Sequence, residues 1–260
     1  MRLSVELLDH IFSFLVSHQR TIAACSKDPV LFPIIERQLY YHTTIRFARG
    51  WRESDCGFEP ECFSKLVSEG PHILNYVRIL QIQVDLDHMR SEDLVIMAQL
   101  DEFAETLLMF PFLECIILTT SKKRIWSWPN VFRTALEDRL NLPTVKEVHI
   151  VGKQDSPFSL IGNCNNIENL LLSGSFTGTE EADHATPLQL KSLTLPHISY
   201  LLIDSIKLHI NQLQSLRCAQ SSVDHIPALL GVCSETLNKL DIDLTHSQCK
   251  AHIVPLLTML

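Results

Sequence analysis

A six-residue phrase recurs along this 260-residue chain and constrains its fold more than any other feature. It reads VRILQI from Val77, LECIIL from Leu113, VKEVHI from Val145 and IENLLL from Ile167. It returns as LKSLTL from Leu190, LQSLRC from Leu213 and LNKLDI from Leu237. Each copy has apolar residues at its first, fourth and sixth positions and variable ones between, with Cys218 the least apolar match. Successive starts lie 36, 32, 22, 23, 23 and 24 residues apart. Self-similarity at such a period marks a repeat architecture. Side chains alternate along extended chain, so the fourth and sixth positions share a face and each phrase predicts a strand. Longer helical patterns at Glu92–Met109 and Asn130–Leu140, and shorter ones at Tyr200–Gln212 and Ser222–Cys233, fill the intervals. One unit cannot bury its own apolar edge. Stacked neighbours can, and their strands then form a parallel sheet, which predicts an α/β solenoid.

The third and fifth positions of each phrase point away from that core. The fifth-position column runs Gln81, Ile117, His149, Leu171, Thr194, Arg217 and Asp241. The third-position column runs Ile79, Cys115, Glu147, Asn169, Ser192, Ser215 and Lys239. Taken singly, each reads as an ordinary solvated sheet residue. Taken as a surface, the mixture of apolar, polar and charged groups suits peptide or protein binding better than a catalytic pocket. The fifth-position column is the candidate substrate face.

Composition removes several function classes. At 46% hydrophobic residues the chain can bury a sizeable core. A net charge of −8 argues against a general nucleic-acid or anionic-membrane surface, since both favour basic proteins. Eight cysteines are widely spread, no Asn-x-Ser/Thr acceptor occurs, and no export signal is seen. Reduced thiols in the cytosol or nucleus are expected. The cysteines include no close pair with zinc-ligand spacing, so no metal and no cofactor is expected.

Sharper chemistry finds little support. Asp241, Asp243 and His246 in DIDLTH lack a third firm metal ligand, and VDLDH at Val84–His88 reads the same way. KKRIWSWPN at Lys122–Asn130 mixes basic and aromatic residues as single-strand nucleic-acid binders do, but it is one cluster in an acidic chain. Its tryptophans are expected on the surface, where they would suit a protein interface. SGSFTGTEEAD at Ser173–Asp183 reads as an enlarged acidic loop rather than a phosphate cradle. No phosphate-binding Gly-Lys-Ser/Thr loop and no His-Glu-x-x-His zinc motif occurs, and no enzyme is expected.

The opening MRLSVELLDHIFSFLV predicts a short helix with an excess of apolar surface. Glu6, Asp9, His10 and Ser13 form one narrow polar stripe, while Leu3, Val5, Leu7, Leu8, Ile11, Phe12, Phe14 and Leu15 cover the rest. A surface helix usually buries a single stripe, so this one has apolar surface for two neighbours. The stretch is shorter than the roughly 20 apolar residues that span a bilayer.

Two resemblances follow. CNNIENLLLSG (Cys164–Gly174) is similar to the cysteine-containing leucine-rich repeats common in F-box proteins. LSVELLDHIFSFL resembles the first helix of an F-box, whose usual form is Leu-Pro-x-Glu-Leu-Leu-x-x-Ile-Phe-Ser-Phe-Leu. Thr21–Phe47 looks like the later F-box helices running into a first repeat strand, and Ser68–Ile82 like a proline-broken helix entering a strand. Both arrangements resemble F-box proteins of mushroom-forming fungi. The resemblance implies an F-box-like module over residues 1–47 and a leucine-rich repeat solenoid with a parallel concave sheet over 48–260. It implies docking on the Skp adaptor of a cullin–RING ubiquitin ligase through Leu3, Ser4, Val5, Leu7, Leu8, Ile11, Phe12 and Leu15, with the repeats presenting a protein substrate. Ser4 replaces the family's proline, and Asp28-Pro29-Val30-Leu31 stands where the family has a tryptophan. The alternative is a leucine-rich repeat interaction scaffold whose F-box no longer docks on the ligase, and the plainest reading of the first helix is a lid over the first repeat.

Overall fold

The computed structural model describes residues 31–48, 57–84, 93–120, 128–152, 158–161, 164–174, 188–197, 206–207, 209–219 and 226–243. The helix expected at 3–15, with all eight candidate adaptor residues, lies outside the described residues. So do Asp85–His88, Lys122–Ser127 and His246.

Helix α1 (Phe32–Tyr41) carries Pro33 in its first turn and passes without a break into strand β1 (His42–Phe47). Proline is well placed there because its missing N–H has no partner in the first turn anyway. Helix α2 (Pro60–Glu69) also starts on proline and ends at Gly70, whose N–H donates to the Leu66 carbonyl. Pro71 then prevents continuation of the helix and opens a 3₁₀ turn (Pro71–Asn75) that leads into β2 (Ile79–Val84). Next come α3 (Asp93–Leu107), β3 (Cys115–Thr120), α4 (Asn130–Leu140) and β4 (Glu147–Gly152). The remaining elements are α5 (Phe158–Ile161), β5 (Asn169–Ser173), β6 (Ser192–His197), β7 (Ser215–Ala219), α6 (Ile226–Cys233) and β8 (Lys239–Asp243).

The strands form one eight-stranded sheet, parallel throughout, in the order β1 to β8. Each turn of chain therefore adds one strand to the growing edge, an arrangement compatible with a solenoid. Every repeated phrase contributes one strand, and β1 adds a copy that the phrase search does not contain. The reason is chemical: at the core position of β1 stands Thr43 rather than a hydrocarbon, buried with its hydroxyl donating to the Tyr40 carbonyl at 2.9 Å.

The first, fourth and sixth phrase positions form three buried columns. Val77, Leu80 and Ile82 are fully enclosed, as are Leu113, Ile116 and Leu118 in the next turn, and the pattern persists through Leu213, Leu216 and Cys218. Helices and strands share a single core running from Ile45 to Cys233. The two longest intervals carry the longest helices, and aromatic rings fill the added volume. Phe47 meets Phe103 edge-on at 5.6 Å, and Phe63 stacks on Phe110 at 5.9 Å. Trp128, expected on the surface, belongs to this core: it is 3% exposed and packs edge-on against Phe132 at 5.4 Å. Its place directly before α4 turns the indole inward against that helix. Among the described residues, no helix is long and apolar enough to cross a membrane.

Candidate functional site

One face of the sheet is consumed by the core and its helices, and among the described residues no helix packs on the other, the open face. Strand pairing brings the candidate substrate residues into a single row. Gln81 is the register partner of Ile117, Ile117 of His149, and His149 of Leu171. The row continues from Leu171 to Thr194, Arg217 and Asp241. The third-position residues form a second row beside it, from Ile79 to Lys239. Both rows exist because the period between turns is met by the same two-residue alternation in every strand.

The chemistry changes along the rows. At the first end the Thr44 hydroxyl approaches Gln81 Oε1 at 3.4 Å. Half-buried Ile79 stands beside Gln81, and half-buried Ile117 and Leu171 give the middle an apolar character. Between them Glu147 Oε1 lies 2.6 Å from His149 Nε2, and Cys115 is the register partner of Glu147. Cys115 stands on the same face, yet it is only 6% exposed. At the far end Arg217 pairs with Asp241 at 3.5 Å and Lys239 is exposed. That pairing supplies the partner for Asp241 that the metal reading of DIDLTH would have left to a cation.

Buried thiols are suppressed as nucleophiles. Burial pushes Cys115, Cys164 and Cys218 up to about 12, with Glu147 adding repulsion at Cys115. A reactive cysteine needs the opposite shift. Two grooves lie off the open face. One, of about 460 Å³, runs between α2 and α3 and is bridged by Gln99 Nε2 donating to Glu61 Oε1 at 2.6 Å and by Ser64 and Thr106 hydroxyls 3.0 Å apart. The other, of about 250 Å³, is lined by Arg37, Tyr41, Asn75, Tyr76 and Arg78.

A further row escaped sequence reasoning. The second phrase position, read as variable, alternates in sign through Arg78, Glu114, Lys146, Glu168 and Lys191. Arg78 pairs with Glu114 at 3.3 Å, and Glu168 is held by Lys146 at 3.4 Å and Lys191 at 2.6 Å. The hydrogen bond from Lys191 is the main cause that lowers the Glu168 carboxyl below the usual range. Aligning the phrases and reading down that column would have found it. No family model, curated protein or solved structure matches the chain.

Proposed function

We propose that this chain is the non-catalytic substrate receptor of a Skp–cullin–F-box ubiquitin ligase, working in the cytosol or nucleus. The repeats are leucine-rich repeats, the open sheet face holds a protein client, and a separate enzyme transfers ubiquitin. The observation that carries the client-binding half is the pair of registered rows, whose mixed and continuous surface offers many weak contacts rather than one reactive centre. Large shallow surfaces of this kind suit protein partners, whereas small-molecule sites are concave and enclosed. The adaptor half is supported by the match of LSVELLDHIFSFL to the F-box pattern and by the apolar excess of that stretch. Serine at position 4 keeps a helix-capping oxygen where proline would favour the first turn.

The substitution at Ser4 and the missing tryptophan favour a second reading, a repeat scaffold that no longer engages the ligase. The two separate in one experiment. Purified protein is mixed with the Skp adaptor and resolved by size-exclusion chromatography with light scattering, beside a variant carrying Leu8→Asp and Ile11→Asp whose fold is checked by circular dichroism. The receptor reading expects a one-to-one complex that the variant cannot form. Absence of a complex at micromolar concentration would leave the scaffold.

A further inference from the structure

Strands β3 and β4 bring together a sulfur, a carboxylate and an imidazole whose donor atoms all lie within 4.8 Å of one another. The register is responsible. Cys115 pairs with Glu147, and His149 follows two residues later on the same face, opposite Ile117. A glutamate and a histidine two residues apart on a strand would by themselves be an ordinary surface ion pair, of little energetic weight. The buried thiol beside them is what an ion pair leaves unexplained. The S–H group is a weak donor and gains little from the carboxylate beside it. A cation held among the three would take the sulfur, a carboxylate oxygen and an imidazole nitrogen together as ligands.

We propose that Cys115, Glu147 and His149 bind a zinc ion on the open face, with thiolate sulfur, one carboxylate oxygen and imidazole Nε2 as ligands and a water in the fourth position. Sulfur, nitrogen and oxygen together match the ligands that zinc takes, whereas calcium and magnesium require oxygen alone. Three protein ligands leave one position open, the pattern of zinc sites that keep an exchangeable ligand. The Glu147 and His149 side chains are 43% and 25% exposed, so solvent reaches the position that a fourth ligand would take. Bond lengths of about 2.1 Å to nitrogen and oxygen place those two atoms roughly 3.4 Å apart around a tetrahedral zinc. The present 2.6 Å hydrogen bond therefore has to open as the metal replaces the shared proton, a movement within reach of two partly exposed side chains. Backbone pairing on both sides, to β2 and β5, holds the two ligand strands in place. This site stands independently of any role in a ligase.

Two protons are displaced. The S–H proton leaves to solvent as the S–Zn bond forms. The proton shared by His149 Nε2 and Glu147 leaves to solvent, or is exchanged to Nδ1, as the Zn–N and Zn–O bonds form. Because a ligating thiol must give up its proton, affinity for the ion rises with pH.

Cobalt(II) is the probe, added to the full chain and followed by absorption. The expected result is one equivalent bound, with a thiolate-to-cobalt charge-transfer band in the near ultraviolet and the strong visible bands of tetrahedral coordination. Cys115→Ser abolishes the charge-transfer band, and Cys62→Ser, which removes an exposed thiol, leaves it unchanged. His149→Gln retains the charge-transfer band while weakening binding by more than about tenfold, so the site remains testable if Cys115→Ser fails to fold. Competition by zinc bleaches the spectrum. Absence of the band in the native chain, or a band that follows Cys62 or persists in Cys115→Ser, overturns the proposal.

Discussion

Gly152 ends β4 with φ +123°, and Gly174 follows β5 with φ +147°. A Cβ on Gly152 would collide with the Thr120 carbonyl oxygen, and one on Gly174 with the carbonyl oxygen of Gly152. The three positions sit at the exits of successive strands, where the chain leaves the ladder while pressed against the previous turn. Only glycine combines that left-handed backbone with so close an approach. Gly152→Ala should lower stability by about 2 kcal/mol or more, since strain and collision act together. Denaturant unfolding checks this, and a midpoint equal to that of the native chain would contradict it. The same residue scale explains why the zinc ligands stayed hidden in the sequence. Cys115 and Glu147 are 32 residues apart, far outside any local ligand spacing, and only the register makes them neighbours.

Single elements are joined by side chains as well as by the ladder. His209 lies in the connection before β7, fully buried, and its Nδ1 accepts the Leu188 N–H at 2.9 Å just before β6. Burial pushes its pKa down to about 4 from 6.5. Between these values the unfolded chain binds a proton that the folded chain refuses, so stability falls as pH drops through the window from about 6.5 to about 4. Thermal melts should show this descent, and His209→Asn should flatten it while lowering the melting temperature at pH 7. Equal slopes in both proteins would sink the assignment. At this scale much of the fold was legible. The phrase located β2 to β8, Asn130–Leu140 was read to the residue, and the helix read at Glu92–Met109 runs Asp93–Leu107. β1 lies outside the phrase because Thr43 breaks the apolar pattern while its hydroxyl satisfies itself locally, and the strand expected to end Thr21–Phe47 came from the resemblance alone. Trp128 was misplaced because a basic, aromatic stretch looks like a surface loop, and only packing against Phe132 reveals the inward turn. The open rows were legible as columns, but not the ion pairs and the ligand cluster that form between columns.

At the scale of the molecule, the core formed by the described residues is continuous but unevenly sealed. Leu170, Leu193 and their column neighbours are enclosed, whereas Leu237, Leu240 and Ile242 at the last strand are only partly buried. In a structure where each unit contacts its neighbours, stability is the sum of local interfaces, and the weakest interface opens first. Amides of β8 should therefore exchange with solvent at least about tenfold faster than those of β3 to β6. Hydrogen exchange read by mass spectrometry would show it, and uniform protection across the sheet would refute it. Each second-position carbonyl accepts two N–H groups from the following turn: Arg78 from Glu114 and Cys115, Glu114 from Lys146 and Glu147, and so on to Gln214 with Asn238 and Lys239. The entry from one rung to the next is thus the same in each of these turns, although the register shifts between Leu171 and Ser173 where β5 meets β6, and among the described strands none returns to pair with an earlier one. Nothing in such a ladder counts its own rungs. An in-frame duplication or loss of one unit would rejoin the backbone ladder but would set like charges side by side in the second-position column. A change by two units keeps Arg78, Glu114, Lys146, Glu168 and Lys191 alternating in sign, so descent can lengthen or shorten the face most cheaply in steps of two.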